Sequence, residues 1–128
     1  MSIPLPAAIH SLFTRTDGSP RFTMTVPRRF LADPGVHLLV DRERRGIGFA
    51  YATRCLLDGL LRDGDLFVDI GAHWGIMSLQ AATGGEVQVL AVEALADNLP
   101  HLKRWVAENR LDHRIEVVFA VAAESPRR

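Results

Sequence analysis

A single cysteine, Cys55, stands in a chain of 128 residues, so no internal disulfide can form. Nothing around Cys55 resembles a CxxC pair or a metal cluster. It sits among apolar residues, where a small core side chain is expected. Charge of one sign is also missing: acidic and basic side chains balance at 15 each. Proteins that live on phosphate backbones usually carry a basic excess, so nucleic acid is not expected as a partner. Long apolar runs are absent too, and no segment approaches the ~20 residues of a membrane span. The N-terminal stretch carries no basic leader, and Pro4 and Pro6 interrupt it. The expected location is therefore the cytoplasm, with no membrane partner. Neither an internal repeat nor a low-complexity tract is present.

What the chain does have is an ordinary globular balance, 48% hydrophobic and 23% charged, at a length suited to one domain. Residues 1–20 read as irregular, broken by Pro4, Pro6, Gly18 and Pro20. From 21 to 26 the pattern alternates, with Phe22, Met24 and Val26 on one face, which predicts a half-buried strand. Asp33-Pro34-Gly35 reads as a turn and Val36 to Val40 as a further short strand. Arg42, Arg44 and Arg45 read as a solvated loop. A helix is expected from about Ile47 to Leu61, with Phe49, Ala52, Leu56 and Leu60 on its apolar stripe, and Gly64 is suited to end it.

Beyond residue 65 the pattern becomes strand, helix, strand, helix, strand. The apolar run Leu66 to Ile70 suits a strand buried on both faces of a parallel sheet. A helix from Ile76 to Ala82 stops at Thr83-Gly84-Gly85, and Val87 to Val92 forms a second strand ending at Glu93. A second helix is expected from about Asn98 to Arg110, with Asp97 as its N-cap and Pro100 in its first turn. Ile115 to Val121 completes a third strand. Short connections in this order imply a parallel sheet with right-handed crossovers. Residues 1–60 are then an N-terminal extension of strands and one helix packing on the core, and 61–128 the sheet domain.

Ligands of open parallel sheets bind at the carboxyl ends of the strands. Two features fall there: Asp69 with the glycine loop Gly71-Ala72-His73-Trp74-Gly75, and Glu93. Glycine lets the backbone turn sharply and approach a ligand. A carboxylate roughly 20 residues past such a loop is the expected partner of a ribose. The spacing Gly71-x-x-x-Gly75 is not the GxGxxG of a dinucleotide site, which weakens a nicotinamide reading. An acid beside the loop opposes a pyrophosphate and favours a cation. S-adenosylmethionine, with its ammonium and sulfonium, fits these electrostatics.

The segment from Val68 to Gly75, then Ala91-Val92-Glu93, then Asn98, Leu102-Lys103 and Asn109, resembles the FkbM family of S-adenosylmethionine-dependent methyltransferases. The resemblance covers residues 60–125. It implies an α/β, Rossmann-like class I methyltransferase fold. It further implies a cofactor site of Asp69, Gly71, Ala72, His73, Gly75, Glu93 and Ala94. Asp69 and Gly71 would face the methionine portion, Ala72 and Gly75 would shape the loop, Glu93 would hold the ribose, and Val121 to Glu124 would lie near the adenine. His73 stands where the family usually has Asn, and Ala94 where Pro commonly follows the acid. The family's fourth strand and its D-x-E-G-x-E-like segment do not occur in these residues. The expected fold is thus truncated after the third parallel strand, leaving Leu66 to Ile70 at an apolar edge. Such an edge calls for cover by the N-terminal strands, a second copy or a complementing chain. The implied activity is methyl transfer to a hydroxyl of a small molecule or sugar, with no catalytic base assigned. The alternative is a non-catalytic domain that binds cofactor or a partner chain only. No His, Cys and carboxylate spacing suggests a metal.

Overall fold

The computed structural model describes residues 6–124. They divide into two compact units that meet in sequence between Gly59 and Leu60.

In the first unit, β1 (Ala7–His10) pairs antiparallel with β2 (Thr23–Val26), Ala7 opposite Val26 and His10 opposite Thr23. Residues 7–10, expected to be irregular, are therefore strand; Pro4 and the rest of 1–5 lie outside the described residues. The alternation read at 21–26 holds, with Phe22, Met24 and Val26 all buried.

The stretch read as a turn followed by a strand is instead helix α1 (Pro34–Arg44). The Asp33 carboxylate accepts hydrogen bonds from Gly35 N at 2.8 Å and Val36 N at 3.2 Å, which satisfies two donors of the first turn. Pro34 occupies a first-turn position where no N–H is needed. The buried residues Val36, Leu39, Val40 and Glu43 follow helical spacing. Arg42 and Arg44 are accordingly helical, though solvated, and Arg45 caps the end.

Helix α2 (Tyr51–Leu60) is shorter than expected and turned the other way. Its apolar stripe is outward, with Leu56 59% and Leu60 64% exposed, while Arg54 is fully buried. The reason is a charge that needs a partner. The Arg54 guanidinium forms an ion pair with Glu43 of α1 and donates to Ser11 Oγ at 3.2 Å and Phe49 O at 3.3 Å. The same carboxylate accepts from Leu12 N and Phe49 N. Cys55 is only half-buried.

The second unit alternates as expected: β3 (Leu66–Ile70), α3 (Ile76–Thr83), β4 (Gln88–Glu93), α4 (Leu99–Glu108) and β5 (Ile115–Phe119). The strands form one parallel sheet in the order β3-β4-β5, with Asp69 beside Ala91 and Ala91 beside Val117. Gly64 has a positive φ but sits in the turn before β3 rather than at a helix end. The N-cap of α4 is Asn98, because Asp97 lies inside a short 3-10 turn over Ala96–Asn98.

One face of this sheet carries the core. Val89, Ala91 and Ile115 are buried with Leu79 and Ala82 of α3 and Leu102, Trp105 and Val106 of α4. The other face is open at β3, where Leu66, Val68 and Ile70 are 63%, 46% and 64% exposed. β3 is thus not buried on both faces: it is the edge strand among the described residues. Arg114 ties the amino-terminal edge of the sheet together. It donates to the carbonyls of Ala82 and Gly85 at the end of α3 and pairs with Glu86 at 2.7 Å.

Candidate functional site

The loop after β3 is built from three left-handed residues at alternate positions: Gly71 (φ +78°), His73 (φ +55°) and Gly75 (φ +90°). Gly71 N and Ala72 N both donate to Val92 O, at 2.9 and 3.0 Å, so the chain turns off the end of β3 while held to β4. Gly75 N closes the turn onto Ala72 O at 2.8 Å, and Gly75 then serves as the N-cap of α3. The two glycines differ in what requires them. A side chain at Gly71 would meet open space, whereas one at Gly75 would overlap Leu102 of α4. Gly71 leaves the ground above the turn clear; Gly75 lets α4 pack beneath it.

Trp74 is buried and points into this packing. Its ring stands 4.9 Å from Trp105 and 5.0 Å from His101, both on α4. His73 remains exposed, its ring stacked on Trp74 at 5.5 Å.

Two carboxylates flank the loop, on the same face of the sheet. Asp69, the last residue but one of β3, is half-buried and accepts a 2.6 Å hydrogen bond from Ser78 Oγ of α3. Burial pushes its carboxyl above the ordinary aspartate value and the Glu93 charge adds to that rise; the Ser78 bonds oppose it without cancelling it. Glu93 ends β4 and is only 5% exposed. One of its oxygens accepts from His73 N, the other from Ala94 N at 2.8 Å and Leu95 N at 2.9 Å. Burial alone would raise its pKa, but backbone donors from Leu95, His73 and Ala94, with the Asn98 side chain, outweigh burial and hold it below the usual glutamate value.

The structure therefore brings Asp69, Gly71, Ala72, His73, Gly75, Glu93 and Ala94 to one edge. It adds Ser78, Asn98 and Leu102, whose supporting roles the sequence reading did not assign. Ser78 could have been suspected as a polar residue buried in an apolar helix; Leu102 carried no such signal. Residues 121–124 follow the carboxyl end of β5 without regular structure. A cavity of about 320 Å³ lined by Leu66, Gln88, Leu90, Asp112, His113 and Glu116 lies at the opposite, amino-terminal edge, away from where parallel sheets bind ligands. Among the described residues no group of three or more His, Cys, Asp or Glu could hold a metal ion, and no helix is long and apolar enough to cross a membrane.

The donor set fits a cationic nucleoside better than a pyrophosphate. Two carboxylates border the turn, a side chain added at Gly71 would meet nothing within 4 Å, and no Lys or Arg sits in the 71–75 loop.

No family model matches the sequence, and no curated protein matches it. Solved structures do. The C-terminal domain of precorrin-6Y C5,15-methyltransferase from Rhodobacter capsulatus is 25% identical, with a TM-score of 0.51 over 56% of this chain and 39% of that one. PRMT6 in its SAH form is 26% identical, with a TM-score of 0.53 over 68% of this chain and 25% of that one. A further PRMT6 structure is 28% identical, with a TM-score of 0.51 over 67% and 24%. The chain thus spans about a quarter to two fifths of the length of these proteins. With a parallel sheet, alternating helices and a glycine turn at the carboxyl edge, the chain has the α/β, Rossmann-like fold of the methyltransferases it matches.

Proposed function

We propose that the carboxyl edge of the β3-β4-β5 sheet is a cradle for S-adenosylmethionine, of the FkbM type, in a protein that methylates a hydroxyl of a small molecule or sugar. The observation that carries this reading is the pair of carboxylates, Asp69 and Glu93, on either side of a glycine turn left clear at Gly71. A solved neighbour that holds SAH, the demethylated form of the cofactor, supports it. Asp69 and Gly71 would face the methionine ammonium. Ala72, His73 and Gly75 would form the floor, Glu93 and Ala94 would flank the ribose, and 121–124 would border the adenine. When bound, the cofactor supplies a methyl group already activated on a sulfonium, so the chain's own work is binding and alignment. Balanced charge is the ground for preferring a small hydroxylated acceptor to a nucleic acid.

Calorimetric titration tests the cradle. S-adenosylhomocysteine should bind and NAD should not. Asp69→Asn keeps an acceptor for Ser78 but loses the charge, so it should weaken S-adenosylhomocysteine by about 1.5–3 kcal/mol. The pH dependence has a defined sign. Asp69 has a raised pKa in the free protein, and a bound cation pulls it down, so binding must expel a proton on the acid side. Affinity should fall as pH drops through the raised Asp69 value, above 3.8, and Asn at position 69 should remove that dependence. Equal heats with both ligands, or none with either, would reject the cradle. Binding without turnover over a panel of hydroxylated acceptors would favour the second reading, a domain that holds cofactor or a partner chain without catalysis.

A further inference from the structure

We infer that the free edge of β3 docks the β3 of a second copy of this chain, strand against strand and antiparallel, with Val68 on the twofold axis. The backbone shows which groups are available. Gln88 N donates to Asp65 O at 3.0 Å, and Gly71 N donates to Val92 O at 2.9 Å. Ladder groups alternate along a strand, so Phe67 and Asp69, which lie between, also face β4. The parallel register agrees, with Leu66 beside Gln88 and Ile70 beside Val92. The N–H and C=O groups of Leu66, Val68 and Ile70 therefore point away from β4, to the edge. No strand among the described residues pairs there, and β1 and β2 form a sheet of their own. The same residues carry the exposed apolar side chains of the strand. No Pro or Lys guards this edge, and the one charge in the strand, Asp69, is turned to the other face, onto Ser78.

The edge is complementary to itself. Identical strands related by a twofold axis normal to the sheet run antiparallel. Centred on Val68, that pairing sets Val68 against its own copy and Leu66 against Ile70. Every free N–H of these residues then meets a free C=O in a hydrogen-bonded pair. On the open face apolar side chains lie against apolar ones. On the other face Asp69 lies against Phe67, so no like charges are opposed. Neighbouring registers lose this match. Centring on Asp69 sets two carboxylates against each other, and centring on Phe67 leaves Ile70 opposite Gly64. The chain's overall charge is balanced, so no net repulsion opposes association of two copies.

Neither arm of the test needs a bound cofactor. Sedimentation velocity over a concentration series should find wild type as a dimer. Val68→Lys and Val68→Glu each bring like charges together at the axis, and each should be monomeric. An equimolar mixture of the two should recover the dimer through an opposite-charge pair. Both change an exposed side chain, and protection of the Val89 amide checks that the sheet stays folded. In amide hydrogen exchange of the full chain, Leu66, Val68 and Ile70 should be protected in wild type and exchange at least about tenfold faster in Val68→Lys. Phe67 and Asp69, bonded to β4, should stay protected in both. A monomeric wild type would overturn the inference, and protected edge amides in that monomer would assign the edge to another segment of the same chain. A dimer that both variants leave intact, or a mixture that stays monomeric, would overturn it by moving the interface or its register. Should the variants lose Val89 protection, wild type alone decides, and unprotected Leu66, Val68 and Ile70 amides would overturn the pairing.

Discussion

Glu43→Met is expected to destabilise the N-terminal unit by about 3–5 kcal/mol, the cost of breaking a buried ion pair by removing one partner. The Arg54 side chain is wholly buried and Glu43 nearly so, so neither charge can fall back on water. Removing the carboxylate also strands the backbone N–H groups of Leu12 and Phe49, which it accepts at 3.1 and 3.0 Å. Arg54→Met should cost less, toward the lower end of that range, because the remaining carboxylate keeps both of those donors. The guanidinium carbon also stands 5.2 Å from the Phe13 ring centre and 5.4 Å from that of Phe22, so aromatic faces supply part of its environment. The double variant should cost less than the sum of the two single ones, since it leaves no unpaired charge. Urea unfolding followed by the NMR signals of Met24 and Val26 measures all three. A loss below about 1 kcal/mol for Glu43→Met would mean the pair is solvated and the packing described for α1 and α2 is wrong.

Gly75→Val should be nearly as damaging, and to the other unit. Position 75 is left-handed at φ +90°, which costs a side chain roughly 1–2 kcal/mol. The new Cβ would also overlap Leu102, a fully buried residue of α4, and overpacking of that kind costs typically 1–3 kcal/mol more. The combined loss is about 2–5 kcal/mol, with loss of S-adenosylhomocysteine binding because the turn and α4 can no longer seat together. Gly71→Ala is the control. It shares the left-handed backbone, at φ +78°, but nothing lies within 4 Å of the added carbon, so only the backbone cost of about 1–2 kcal/mol remains. Tryptophan fluorescence reports both, since Trp74 and Trp105 pack together between the loop and α4. A larger loss at position 71 than at 75 would contradict the placement of α4.

The sequence by itself determined the alternation of the second unit and the sheet edge at which the candidate site residues gather. Short apolar runs bounded by turn residues, alternating with segments of helical spacing, read as brief strands. The helical spacing between them leaves parallel pairing as the workable topology, and parallel topology puts every strand's carboxyl end, hence Asp69, the 71–75 turn and Glu93, on one side. Val36 to Val40 shows where that reasoning runs out. A five-residue apolar run suits a strand or a helix equally, and the deciding feature was the local cap of Asp33 with Pro34 behind it. Helix α2 shows the deeper limit. Its pattern of apolar residues pointed one way, and the buried face turned out to carry Arg54, because a charge is placed by a partner in another helix rather than by its neighbours in the chain. The same holds for Glu93. Its position could be read from spacing. That one of its oxygens accepts from His73 N, in a loop twenty residues earlier, is a fact of tertiary structure alone, since hydrogen bonds between distant segments exist only once the chain has brought them together.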